Sequence, residues 1–260
     1  MKVVLNRLSS YEELKRHIVA HGCYSERENE RIYHKWFAAG PRYVFRAVDR
    51  KYHITHGALC DVGCAYGTNL VFCNSTSYGI DSEDYVVKFA IRIGLTVHNR
   101  DVIASDFSDL PPVDYVWNSA TLEHVESPHI FLRKLHMLLK PEGLLALFVP
   151  TIPSLPVLRR LPRLKRYLTG HLHGDHINAF TPSTLRFFCE RAGFETVEVS
   201  AFYPGILSPF SHLNLIDGCV YIGRKTAEWE YPQSSTRRVA TNVKGFEFVG
   251  QTFGEQPADH

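Results

Sequence analysis

The chain has 260 residues, 45% of them hydrophobic, with 29 Lys and Arg against 27 Asp and Glu. That length and apolar share suit one substantial α/β domain with modest additions and are enough to bury a real core. The formal charge of +2 is too small to argue for a nucleic-acid partner.

No apolar stretch approaches the ~18 residues that a bilayer-spanning helix needs. The short apolar run in MKVVLNRLSS gives way to charge, unlike a secretory signal, so a cytoplasmic location is the default expectation. Six cysteines (Cys23, Cys60, Cys64, Cys73, Cys189 and Cys219) show no CxxC pairing and read as reduced thiols, mostly buried, rather than metal ligands or disulfides.

In chain order, residues 9–22 predict a helix capped by Ser10, with Glu13 three residues on and Gly22 past its end. Residues 25–50 predict further helix, interrupted at Gly40-Pro41. Their aromatics (Tyr33, Trp36, Phe37, Tyr43, Phe45) exceed what a solvated helix carries, and either pack on a sheet or cover a ligand. From residue 58 short apolar runs alternate with helical segments. Strands are expected near 58–63, 77–81, 95–99, 113–119 and 143–149, and helices near 66–74, 83–93 and 128–140. Such alternation implies βαβ units and a parallel sheet. A helix over 182–192, closed by Gly193, precedes two runs, 195–202 and 217–224, that read as an antiparallel pair. Residues 226–260 are polar, without periodicity, and are expected to be a mobile tail.

The strongest local signal is Asp61-Val62-Gly63-Cys64-Ala65-Tyr66-Gly67, an apolar strand running into a turn of small residues. Small residues let a ligand approach the backbone closely. The turn departs from the dinucleotide fingerprint GxGxxG, because Ala65 stands at the middle position and the last spacing is short. Asp81 falls at the end of the next strand, about twenty residues on, where a carboxylate can accept both hydroxyls of a ribose. It can also cap the helix that follows. After the third strand, Asp101 is placed to meet an adenine amino group, with the Val102 amide near a ring nitrogen. Asp106, or a plain loop role, is the competing reading.

Together these residues resemble the class I S-adenosylmethionine-dependent methyltransferases, in the small-molecule branch. DVGCAYG (61–67) looks like the first motif and GID (79–81) like the acidic second one. VDYVWNSATLEHVESP (113–128), FLRKLHMLLKPEGLLALFVP (131–150) and HINAFTPSTLRFFCERAGF (176–194) are similar to later segments in the same order. The resemblance implies an α/β Rossmann-like fold: a seven-stranded, mostly parallel sheet with its last strand antiparallel, helices on both faces and a helical N-terminal extension. It implies S-adenosyl-L-methionine as cofactor. Asp61, Gly63, Cys64, Ala65 and Gly67 would hold its methionine part, Asp81 its ribose, and Asp101 with Val102 its adenine. Asn118 and Ser119 would face the methionine or the acceptor. The domain plan is then residues 1–54 as the helical extension, 55–225 as the methyltransferase domain with a substrate-side insertion at 151–180, and 226–260 as the tail.

The expected acceptor is a small molecule, sugar or lipid-like compound, methylated most readily on oxygen. His124, His173 and His176 are candidate bases. His171, His173, Asp175 and His176 cluster in GHLHGDHIN, which reads as a polar loop, a base pair with Asp175, or an HxH metal site; no metal is expected. Leucines alternating with Arg159, Arg160, Arg163, Lys165 and Arg166 suggest a lid, or peripheral membrane or anionic-ligand contact through 155–168, against an ordinary basic helix. The alternatives to a transferase are a non-catalytic cofactor-binding or regulatory protein of the same fold, and a nicotinamide-dependent dehydrogenase.

Overall fold

The computed structural model describes residues 10–40, 42–151, 176–203, 206–208 and 218–226. Helix α1 (Tyr11–His21) starts where the Ser10 hydroxyl accepts the Glu13 amide at 3.2 Å and ends at Gly22, whose amide donates to Ile18. Helix α2 (Glu26–Ile32) is capped by Ser25 and runs without a break into one π-helical turn, Tyr33–Phe37. Gly40, at φ +72°, turns the chain into α3 (Tyr43–Tyr52). The segment expected to be helical over 25–50 is therefore broken where Gly40-Pro41 predicted.

Beyond α3 come β1 (Leu59–Val62), β2 (Tyr78–Asp81), α4 (Asp84–Arg92), β3 (Val97–Asn99), β4 (Val113–Ser119), α5 (Pro128–Leu138) and β5 (Leu139–Pro150). They are followed by α6 (Pro182–Arg191), β6 (Phe194–Tyr203), β7 (Ile206–Ser208) and β8 (Gly218–Lys225). The strands form one sheet in the order β3-β2-β1-β4-β5-β8-β6-β7. The pairs from β3 across to β5 are parallel, and β8 inserts antiparallel between β5 and β6. β1 lies between β2 and β4, so connections leave it in opposite directions. That reversal opens a crevice at the carboxyl ends of these strands.

Both faces of the sheet are covered, which explains the near-continuous apolar character of its inner strands. On β4, Val116 packs with α5 residues Phe131, Leu132 and Leu135 and with Leu185 of α6. Its neighbour Trp117 points the other way, into a cluster with Val44, Phe45 and Val48 of α3 and Val86, Val87 and Ala90 of α4. The Trp117 and Phe45 rings meet edge to face at 5.2 Å. Leu14 and Ile18 of α1 join Tyr33, Phe37, Phe89 and Ile93 in a third cluster, which fastens the N-terminal helices to α4.

Three expectations are modified. The segment 66–74 is not an α-helix; it holds turns and a single 3-10 turn, Leu70–Phe72. Gly67 is left-handed at φ +77° and packed against Leu95, while Asn69 and Asn74 spend their side chains on loop backbone. Side-chain bonds of that kind compete with helix formation. The sheet has eight strands among the described residues rather than seven, because β7 adds a short edge to β6. The Lys140-Pro141-Glu142-Gly143 turn sits as a bulge inside β5, with Glu142 left-handed at φ 63°. All six cysteines are free, and only Cys23 is exposed. No helix among the described residues is long and apolar enough to cross a membrane. The basic stretch 155–168 lies outside the described residues, as do His171, His173, Asp175 and the tail from residue 227.

Candidate active site

The carboxyl ends of β1 to β4 enclose a cleft of about 660 Å3 lined by Gly63, Asp81, Asp101, Val102, Thr121 and His124, among others. Side chains from four separate connections thus meet in one cavity.

The turn after β1 is clamped to β2. The Gly63 amide donates to Ile80 at 2.8 Å, and the Ala65 amide donates to Oδ2 of Asp81 at 2.8 Å. Gly63 is left-handed at φ +73°, and a Cβ there would stand 2.3 Å from the Thr121 hydroxyl. Only glycine fits both constraints. Ala65 adopts the same region at φ 48°, as does Ala120 at φ 53° at the end of β4. Non-glycine residues seldom do so, and such strain concentrates at functional sites.

The other oxygen of Asp81 accepts the Glu83 amide at 3.0 Å. The carboxylate therefore organises both the first turn and the entry to α4, and each of its oxygens keeps a lone pair for a further donor. Asp81 is not the N-cap of α4, which is Glu83; its carboxylate makes a turn bond ahead of the helix and lines the cleft. Across the cleft, Oδ1 of Asp101 accepts the amides of Ile103 and Ala104 at 2.7 and 3.1 Å, which shapes its own loop. Asp106 binds Ser108, and Asp109 takes a two-pronged bond from Arg100 that holds its carboxyl down to about 2. Neither of these carboxylates lines the cleft, whereas Asp101 and Val102 do.

Beneath the turn, Asp61 is only 2% exposed, and its Oδ2 has no hydrogen-bond partner among the described residues. Burial raises its carboxyl to about 7, with Asn69 and the Arg42 charge pulling the other way. Asn118, fully buried, donates to the Val62 carbonyl at 2.8 Å and leaves its own carbonyl oxygen unpartnered. The buried Thr68 hydroxyl is in the same position. Unsatisfied buried polar atoms are costly, and the Asp61 oxygen beneath the turn suits a cationic donor such as an amino-acid ammonium; Asn118 alternates to the other face of the sheet, the side of Val62 and Val116. Ser119 adjoins Asn118 at the end of β4 and is partly buried. Cys64 is buried, its thiol raised well above the usual range by burial, so it is a packing group against Gly79 rather than a nucleophile.

His124 ends a 3-10 turn, Leu122–His124, on the cleft wall. The segment that returns after residue 175 is hung on this turn. The amides of Ile177 and Asn178 both donate to the Glu123 carbonyl at 3.0 Å, and the Asn178 side chain donates to Val125 at 2.5 Å. His176 is thereby set against His124, rings 4.7 Å apart and nearly perpendicular. The ligating atoms of Glu123, His124 and His176 lie within 4.8 Å of one another. Nothing in the local sequence indicates that Glu123 and His124 meet His176, because the pairing is made by backbone bonds across the fold. The same holds for Arg100, Ala120, Thr121 and Arg42, which only left-handed backbone or tertiary contact reveals.

The sequence matches the Methyltransf_23 family, a methyltransferase domain, over residues 30–199. No curated protein sequence matches the chain. Among solved structures it is similar to a TehB-like S-adenosylmethionine-dependent methyltransferase from Corynebacterium glutamicum, at 14% identity and TM-score 0.54, covering 77% of this chain and 97% of that one. A methyltransferase from Archaeoglobus fulgidus matches at 20% identity and TM-score 0.52, covering 70% and 93%. One from Mesorhizobium loti matches at 18% and 0.51, covering 70% and 96%. At these identities the structures establish the fold, and the domain match covers well over half of the chain. This chain belongs to the Methyltransf_23 family of S-adenosylmethionine-dependent methyltransferases.

Proposed function

We propose that this methyltransferase acts on a hydroxyl group of a small-molecule acceptor, with His124 as the proton-accepting residue. The observation that carries the reading is the shared cleft, which brings Gly63, Asp81, Asp101, Val102 and His124 together from separate strand ends. S-adenosylmethionine, when bound, supplies a methyl group that is already strongly electrophilic. The chain's task is then alignment and, for a hydroxyl acceptor, removal of one proton.

In this reading the Gly63–Gly67 turn, with Cys64 and Ala65, receives the methionine part. The open oxygen of Asp61 takes its ammonium, Asn118 holds the end of β1 through the Val62 carbonyl, and Ser119 lines the approach. Asp81 accepts the ribose hydroxyls through its remaining lone pairs, and Asp101 with Val102 borders the adenine. His124 takes the acceptor proton, and His176 fixes the orientation of the His124 ring. A paired imidazole base favours oxygen over a neutral amine, which can attack before losing its proton. The test is S-adenosylhomocysteine release with matched acceptor pools, phenols and alcohols against amines. Turnover confined to hydroxyl acceptors is expected; turnover confined to amines contradicts the proposal.

The Asp61 carboxyl adds a pH signature. Its value in the folded protein, about 7, lies above the ordinary 3.8. The folded state thus holds a proton that the unfolded chain releases, a contribution to stability that is full below about 3.8 and lost as pH rises through about 7. Pairing with an ammonium requires the ionised form, so binding below about pH 7 expels a proton. Affinity for S-adenosylhomocysteine is expected to rise by up to about tenfold per pH unit until that point and then level off. Titration calorimetry from pH 5.5 to 8.5 checks this. An Asp61→Asn protein should bind more weakly and show a flat profile.

A further inference from the structure

A second cleft, of about 840 Å3, is lined by Tyr66 of the turn after β1 and shares no lining residue with the first. Its volume suits a small organic ligand. One wall is α2 with the π-helical turn; the other is Tyr66, which stands between Ala65 and Gly67, together with Tyr85 at the start of α4.

The aromatic wall is fixed in advance. The Tyr66 ring packs edge to face on Phe89 at 5.2 Å, lies 6.3 Å from Tyr85, and meets Trp36 at 5.4 Å. Tyr24 stacks on Phe89 at 6.0 Å and donates its hydroxyl to the Tyr85 carbonyl at 3.4 Å. Trp36 belongs to the π turn, an irregularity that recurs at functional sites.

Charge selects the ligand class. Arg27, Arg31 and Lys35 recur at every fourth position along the same wall, and among the described residues none has a carboxylate partner. Of the acids at the rim, Glu30 is already held by Lys15 at 2.7 Å, which leaves Glu28 alone against three cations. Electron-rich rings by themselves would attract a cation. Here Lys35 and Arg42 already stand 5.2 and 5.1 Å from the Trp36 ring centre.

We propose that this cleft binds a planar aromatic molecule carrying an anionic group, its ring against Tyr66, Trp36 and Tyr85 and its charge against Arg27 and Arg31. The site is distinct from the Gly63–Val102 cleft, so the proposal stands apart from the assignment of cofactor and base.

The probe is naphthalene-2-carboxylate, titrated by calorimetry into the full chain with and without saturating S-adenosylhomocysteine. Its quaternary-ammonium counterpart, trimethyl(2-naphthyl)ammonium, is the charge-reversed control. The carboxylate is expected to bind at least about tenfold more tightly than the ammonium, and to bind whether or not S-adenosylhomocysteine is present. The Arg27→Ala/Arg31→Ala protein should lose at least about tenfold for the carboxylate while keeping its affinity for S-adenosylhomocysteine within about twofold. Three results overturn the proposal: no carboxylate binding, equal binding of the two probes, or displacement of the carboxylate by S-adenosylhomocysteine. Failure of the carboxylate alone leaves the methyltransferase assignment intact; failure of S-adenosylhomocysteine to bind removes that assignment by a separate reading.

Discussion

Replacing Asp81 by Ala is expected to weaken S-adenosylhomocysteine binding by about 100-fold to 10,000-fold. Two hydrogen bonds from ribose hydroxyls to a charged acceptor contribute about 1.5–3 kcal/mol each, and about 1.4 kcal/mol is one factor of ten in affinity. The same carboxylate also anchors the Ala65 amide, so its loss frees the turn proposed to receive the methionine part. Asp81→Asn separates the two effects. It keeps an acceptor for the Ala65 amide but loses the charge, and should fall between wild type and Asp81→Ala. Circular dichroism and a thermal melt establish that the variants are folded. A folded Asp81→Ala protein that binds within about threefold of wild type contradicts the assignment of this residue.

His124→Ala is expected to lower kcat by about 100-fold to 10,000-fold, the usual range for a lost general base, while leaving the affinity for S-adenosylhomocysteine nearly unchanged. The separation follows from placement: His124 lies on the cleft wall, in the connection after β4, whereas the proposed cofactor carboxylates follow or sit on β1, β2 and β3. With a phenolic acceptor the lost rate should return partly as pH rises, because solvent base ionises the acceptor. A purely structural role for the imidazole predicts no such recovery. His176→Ala should have a smaller effect through the orientation of His124, since the His176 ring stands against that of His124 at 4.7 Å. Unchanged turnover in His124→Ala would remove the base from the mechanism.

How much of this was legible beforehand depended on whether the information was local. The strands came from apolar runs bounded by turn residues. β4 matches the expected 113–119 because Val113 to Ser119 sits between a Pro pair and a left-handed Ala120. The position of Asp81 on the cleft is legible because it follows from the distance behind a glycine turn. The apolar pattern over 66–74 suggests a helix, but it takes no account of Gly67 and the loop-bound Asn69 and Asn74. Their side-chain and backbone demands outweigh it. The extra strand β7 depends on pairing with β6, a non-local contact.

The site divides along the same line. Gly63, Asp81, Asp101 and Val102 were found from motif order and do share a cleft. The union of Glu123, His124 and His176 was not readable, because it is made by the Ile177 and Asn178 amides reaching the Glu123 carbonyl. The aromatic excess over 25–50 does not by itself separate core packing from ligand contact. The fold splits it: Phe37 and Phe45 are core, and Trp36 lines the second cleft.

The most direct measurement is a calorimetric titration of the folded, ligand-free chain with S-adenosylhomocysteine at pH 8, where Asp61 is ionised. One site per chain with a dissociation constant on the order of micromolar, lost in Asp81→Ala, is the predicted result. A flat titration with no thermal shift up to millimolar ligand would contradict the account at its root, whatever the sheet and its turn resemble.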